Sequence, residues 1–355
     1  VLPFLAPSEF LFVGGVSKTW RQAWDSNQPR PRETSHAAVT QSLSRLLWAR
    51  GFGYILSKAT CSWAAAHGRV DILEHSRARG CPWDQETCAR AAQGGHMNTL
   101  EWARAQGCPW SWTTTSGAAT GGHLGVLKWA VGHGCDLSDN ACHQAAQHGH
   151  LEVLQWARAQ GFPWDEETCS RAASSGKFEV LQWARSNGCP WNALTSAYAA
   201  STGDLEILQW VRDNGCPWDE WTCAFAALKG RLGVLRWARD NGCPWNQWTC
   251  SYAAKGGHLD VLQWARASKC PWDAWTCAEA AEGGHVEVLR WARTNGCPWD
   301  IRTCHRAAER GHVAALKWAR ANGCPWNEWT CTMAAQAGQL ETLQWARANG
   351  CPWDS

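Results

Sequence analysis

Leu151, Val153, Leu154, Trp156 and Ala157 are apolar, while Glu152, Gln155 and Arg158 between them are polar. The spacings put a broad apolar stripe along one side of a helix, wide enough to be buried against neighbours on both sides. The same arrangement returns 27 residues on, at Phe178, Val180, Leu181, Trp183 and Ala184, and continues at that interval along the chain. A second helical segment precedes each of these and carries small residues, as at Thr222, Cys223, Ala226 and Ala227, which permit close helix approach. In front of it stands Asp, Asn or Ser: Asp84, Ser111, Ser138, Asp165, Asn192, Asp219, Asn246, Asp273, Asp300, Asn327 and Asp354. Such a side chain accepts an orphan backbone N–H and predicts a helix start. Behind it stands a glycine in every clear copy, from Gly68 to Gly338, suited to the left-handed conformation that ends a helix. An acidic residue often follows the opening of the second helix, as at Glu179, Glu206 and Asp260, and complements its dipole. Asn-Gly-Cys-Pro then stops it.

Each repeat therefore reads as helix, turn, helix, loop. Its first cysteine recurs at Cys81, Cys108, Cys135, Cys189, Cys216, Cys243, Cys270, Cys297, Cys324 and Cys351, with Phe162 in the one gap. A period this strict predicts an all-α solenoid of stacked helix pairs, each repeat packing only on its neighbours. Eleven clear pairs and one degenerate pair, starting near Thr34, would span on the order of 100 Å at helix-packing spacing. The array occupies 34–355. Residues 25–33 (DSNQPRPRE) are polar, contain Pro29 and Pro31, and read as a linker; residues 1–24 do not match the repeat. The chain opens on Val1 and stops at Ser355, just after another copy has begun, so a fragment of a longer product is expected.

The formal charge of +2 over 355 residues gives no basic stripe for a phosphate backbone, and nucleic acid is not implied. No apolar run reaches the roughly 18 residues of a membrane span, and no secretory leader is visible. The 19 cysteines are odd in number and tied to the repeat. Equivalent ones in adjacent repeats should lie about 10 Å apart, beyond disulfide reach. Buried thiols in a reducing, intracellular compartment follow, cytoplasmic or nuclear. Zinc asks for four clustered ligands, commonly with Cys-x₂₋₄-Cys spacing. The spacing here is Cys-x₆-Cys, as in Cys216 and Cys223, and the recurrent His96, His123, His150, His258, His285 and His312 give way to Arg69, Lys177, Asp204, Arg231 and Gln339 in other copies. No metal or other cofactor is expected. There is no phosphate loop, isolated acid pair or nucleophile elbow, and the reading is non-enzymatic. Arg recurs two residues after the second-helix Trp, from Arg104 to Arg347, where it can serve Trp faces and helix-end carbonyls.

Val16-Ser17-Lys18-Thr19-Trp20-Arg21 resembles the second half of an F-box. The resemblance covers under a tenth of the chain and implies that Leu5, Phe10, Val16 and Trp20 dock a Skp1-type adaptor of a ubiquitin ligase. The alternative is a pair of helices capping the end of the array. The string from Thr249 to Leu262, Thr-x-x-x-Ala-Ala-x-x-Gly-His-Leu-x-Val-Leu, resembles the ankyrin repeat. Ankyrin repeats run about 33 residues. The copies here are six shorter, and the missing residues leave no room for a long β-hairpin finger. The resemblance implies a protein-binding array whose first helices line an inner surface.

Positions that vary while their neighbours stay fixed are not dictated by packing. Two residues after the second cysteine come Trp63, Arg90, Gly117, Gln144, Arg171, Tyr198, Phe225, Tyr252, Glu279, Arg306 and Met333. Four residues earlier in later copies come Trp221, Trp248, Trp275 and Trp329. Residues at i and i+4 share a helix face. Trp221, Phe225, Trp248, Tyr252, Trp275, Trp329 and Met333 are accordingly the candidate partner site, and packing of those rings between repeats is the structural alternative. The function expected is recognition of a protein partner, as an F-box-type substrate receptor or as a plain scaffold.

Overall fold

The computed structural model of the chain describes residues 39–51 and 54–353. The F-box-like segment with Leu5, Phe10, Val16 and Trp20, the linker 25–33 and the cap expected at Asp354 lie outside the described residues. The chain divides into two compact halves, Val1–Trp164 and Asp165–Ser355. Among the described residues there are 23 helices and no strand.

In the N-terminal half a single helix, Leu43–Gly51, is followed by the pairs Lys58–Ala66 with Val70–Arg77, Gln85–Gln93 with Met97–Ala105, Trp112–Gly121 with Leu124–Gly132, and Ala141–His148 with Leu151–Ala159. The C-terminal half holds seven pairs, from Glu166–Ser174 with Phe178–Ser186 to Glu328–Gln336 with Leu340–Ala348. Eleven pairs with a 27-residue period make the all-α repeat solenoid that the pattern predicts. Within each half the first helix of one repeat packs on the first helix of the next, while second helices meet each other more sparsely.

The difference follows from side-chain size. First helices bury Thr222, Cys223, Ala224, Ala226 and Ala227, and their equivalents, so backbones come close. A methyl group placed on Gly256 would lie 2.3 Å from the carbonyl oxygen of Leu228, one repeat back. Second helices fully bury only a Val-Leu pair and an Ala, as at Val234, Leu235 and Ala238, while Leu232 and Trp237 stay half-buried. Each fully buried Leu contributes about 2 kcal/mol.

Helix ends are set by the residues the sequence marks. Asp219 is extended and its carboxylate accepts from Trp221 N at 3.0 Å. Gly230, at φ 67°, closes the same helix with Gly230 N to Ala227 O at 3.1 Å and Arg231 N to Ala226 O at 2.8 Å, the two bonds of a Schellman motif. Ser138 departs from the expectation. The helix of its repeat begins at Ala141, Asn140 stands in the cap position, and the Ser138 hydroxyl accepts from Asn140 N at 3.2 Å. That repeat has Asp136-Leu137 in place of Pro-Trp, and the chain enters through an extra turn.

The conserved-looking tryptophans and arginines knit loop to helix. Arg239 lies 4.2 Å over the ring of Trp245, and Trp245 meets the edge of Trp264 at 5.7 Å. The same guanidinium donates to the carbonyl of Cys243. This Arg–Trp–Trp arrangement recurs in both halves, for example at Arg104, Trp110 and Trp129, and gives the recurrent arginines a structural role. The recurrent histidines are structural too: His258 Nε2–H donates to Leu228 O at 3.1 Å and His285 Nε2–H to Lys255 O at 3.0 Å, each one repeat back.

Candidate interaction surface

On the first helices of the C-terminal half, the cap residue fixes where each ring leaves the backbone. Trp221, Trp248 and Trp275 each donate their amide to the cap side chain two residues before, at 3.0 Å in all three. Their indoles therefore leave successive helices at the same point, and the residue four further on lies beside them. The rings join into one strip. Tyr198 meets Phe225 at 5.5 Å between centroids, Phe225 meets Trp221 at 6.0 Å, and Trp221 meets Tyr252 at 5.9 Å. Tyr252 meets Trp248 at 6.1 Å, and Trp248 meets Trp275 at 6.2 Å. All six are half-buried, so their flanks pack between repeats and the remainder faces solvent.

The strip ends in charge. Arg302, one repeat after Trp275 and in the equivalent position, lies 4.3 Å over the Trp275 ring, and Arg306 lies 5.7 Å from it. Asp300 holds Arg302 at 2.6 Å, and that guanidinium keeps the Asp300 carboxyl below its usual range. Beside them Glu279 and Glu282 are buried, at 6 % and 7 % exposure. Lys255 reaches Glu279 at 2.8 Å and Glu282 at 3.2 Å; Arg310 reaches Glu282 at 3.1 Å and Arg306 approaches it at 3.6 Å. Burial would raise the Glu282 carboxyl, but Lys255, Arg306 and Arg310 outweigh it and hold it below the ordinary 4.5.

Of the residues singled out from the sequence, Trp221, Phe225, Trp248, Tyr252 and Trp275 come together. Trp329 and Met333 stand apart from that strip, because the repeat between carries Arg302 and Arg306 in place of aromatic residues. Trp329 is 50 % exposed and Met333 half-buried. Tyr198 belongs to the strip and was missed because its own helix has Leu194 where later ones have Trp. Arg302 was missed for the same reason: its position in the repeat, 27 after Trp275, was the available signal.

A second cluster lies at the joints between repeats. The first cysteine of a repeat donates its S–H to the cap carbonyl of the preceding repeat, as Cys216 to Asn192 O at 3.3 Å and Cys243 to Asp219 O at 3.4 Å. There it meets the second cysteine of that preceding repeat, 20 residues earlier. Cys61 and Cys81 have their sulfurs 3.5 Å apart, and the same thiol–thiol pairing joins Cys88 to Cys108, Cys169 to Cys189 and Cys223 to Cys243. It also joins Cys250 to Cys270, Cys277 to Cys297, Cys304 to Cys324 and Cys331 to Cys351. The close pairs are thus between non-equivalent cysteines of adjacent repeats, 20 residues apart, and not between equivalent ones 27 apart. All 19 are buried thiols. Burial pushes Cys216 up to about 11, so at neutral pH it is protonated. Among the described residues no group of three or more His, Cys, Asp or Glu converges on a metal-sized site, and no helix is long and apolar enough to cross a membrane.

Among solved structures, the human ASB11 ankyrin repeat domain is 18% identical over 44% of this chain and 84% of that one, with a TM-score of 0.38. The pentatricopeptide repeat protein PPR10, solved in complex with an 18-nt psaJ RNA element, is 14% identical over 96% of this chain and 64% of that one, with a TM-score of 0.39. No curated protein sequence matches the chain. The family of ankyrin repeats in many copies matches residues 117–158 in the N-terminal half and 304–347 in the C-terminal half, so those two stretches are similar to ankyrin repeats.

Proposed function

We propose that the chain is a non-catalytic recognition module whose protein partner docks on the first helices of the C-terminal half, across Tyr198, Phe225, Trp221, Tyr252, Trp248 and Trp275. The observation that carries this reading is the strip itself. Packing between repeats does not require it, since the equivalent positions in other repeats hold Glu86, Thr113, Arg90 and Gly117 without loss of the helix pair. Half-exposed aromatic rings beside an arginine have the composition of interface anchors. Ankyrin repeats are protein-binding arrays in general, which fits.

The finer reading is a substrate receptor. Leu5, Phe10, Val16 and Trp20 would hold a Skp1-type adaptor and the aromatic strip the target; without the adaptor the chain is a scaffold. The test is affinity capture from a eukaryotic lysate with the whole chain, a chain lacking residues 1–33, and a Trp221→Ala/Trp248→Ala chain whose helicity is checked by circular dichroism. Losing two anchors should weaken the target by about 2 kcal/mol or more, roughly thirtyfold in Kd. A target retained at full affinity by the double variant sinks the strip. An adaptor lost with residues 1–33 while the target remains supports the receptor; an adaptor absent from both leaves the scaffold.

A further inference from the structure

Eleven joints follow the second-cysteine position of the repeat, and eight have a thiol on both sides. The other three are instructive. Opposite Cys135 stands Thr115, whose hydroxyl donates to Asp136 O at 2.9 Å. Opposite Cys216 stands Ser196, whose hydroxyl donates to Pro217 O at 2.8 Å. Twenty residues after Cys142 stands Phe162. A hydroxyl thus meets the packing and hydrogen-bonding needs of a joint, and bonds a backbone carbonyl that a weak thiol donor serves poorly. Neither size nor hydrogen bonding calls for two sulfurs facing each other across eight joints.

We propose that these eight dithiol joints are sites of covalent modification: each can close into a disulfide linking residue i of one repeat to residue i+20 in the next, with a low-molecular-weight disulfide as oxidant. The geometry is near what the bond needs. At the Cys61–Cys81 joint the sulfurs must approach from 3.5 Å to about 2.05 Å, a closure that small rotations of two unbranched side chains and slight sliding of one repeat supply. The chemistry balances. One thiolate attacks the oxidant's S–S bond, forming a mixed disulfide and releasing one small thiolate; the second cysteine displaces the other. The two protons lost by the cysteines end on the two small thiols, and the two electrons have passed to the oxidant. Buried thiols are shielded from a dissolved oxidant, so each joint closes when a repeat boundary opens locally, which a chain of nearest-neighbour contacts permits. Once closed, it ties adjacent repeats and restricts the unfolded chain.

The test uses the whole chain, fully reduced and then incubated without air in oxidised glutathione. Residual thiols are alkylated, and the digest is mapped by mass spectrometry beside a thermal melt. The expected map links cysteines only at a separation of 20 residues, with Cys135, Cys142 and Cys216 alkylated. Each closed joint lowers the mass by two hydrogens, and the melting midpoint of the oxidised chain rises by about 5 °C or more. Cys277→Ser, which copies Ser196, should leave Cys297 alkylated and the other joints closed. Links at separations of 7 or 27, links between chains, or thiols that stay reduced while a solvent-exposed control dithiol oxidises fully, would each overturn the proposal. So would a map with the right links whose melting midpoint falls.

Discussion

Lys269 has φ 64°, and among the described residues it is the one non-glycine in the left-handed region. It stands where other copies have Gly215, Gly242 or Gly296, at the end of a second helix. The backbone bonds there are unchanged: Lys269 N reaches Arg266 O at 3.0 Å and Cys270 N reaches Ala265 O at 2.9 Å. Loop geometry is therefore enforced by the repeat, and the lysine accepts strain to meet it. Such a residue costs about 1 kcal/mol or more relative to glycine. Lys269→Gly should stabilise the chain by about 1 kcal/mol, read as a higher urea midpoint at constant slope. Gly242→Ala should cost a similar amount, because nothing lies within 4 Å of the added methyl and conformation alone acts. Gly257→Ala should cost more, since its methyl would also meet the His285 ring at 2.6 Å. The sequence alone marked glycine as the helix stop. It could not show that the stop survives without glycine, because that depends on neighbouring repeats holding both ends of the loop.

Helix starts and helix pairing decide how the candidate strip is displayed. Asp219 sets the first turn of helix Glu220–Leu228, and Asp219→Ala should destabilise the chain by about 1 kcal/mol while loosening the indole of Trp221. Charge acts between helices Gln247–Gly256, Ala274–Glu282 and Ile301–Glu309. Glu282 keeps a carboxyl pKa below its ordinary 4.5 in the folded chain, so the folded state binds protons less readily than the unfolded one. Its contribution is complete above that ordinary value and is lost as pH falls through the lower folded value. A melt followed downward from pH 5 should show this loss, and Glu282→Gln should flatten it. At pH 7 the same change should cost about 1–2 kcal/mol, modest because Lys255, Arg306 and Arg310 are partly exposed and water screens them. Periodicity alone does not place this cluster: the cations that meet Glu279 and Glu282 come from the neighbouring repeats.

The period made the array legible, because a fixed register of apolar, small and glycine positions admits one kind of packing; capping and both turns followed from single residue types. What escaped was the relation between non-equivalent positions of adjacent repeats. Cys223 with Cys243 depends on how one repeat is offset against the next, and periodicity says nothing about that offset. Because each repeat touches only its neighbours, the register itself can be tested. Removing residues 216–242 deletes one period and joins Gly215 to Cys243. Cys243 would then donate to Asn192 O as Cys216 does now, and Tyr252 would meet Tyr198 where Phe225 stands. Helicity per residue should be unchanged and the thermal midpoint a few degrees lower, about the loss of one nearest-neighbour joint. Removing residues 223–242 instead breaks the register by seven positions, so the second-helix stripe meets the wrong partners; helicity should fall across the C-terminal half. If the two deletions melted alike, the register would not be what holds the repeats together. In the in-register deletion the strip survives without Trp221 and Phe225, so capture of its partner should weaken while the fold stands, and that separates binding from folding in a single chain.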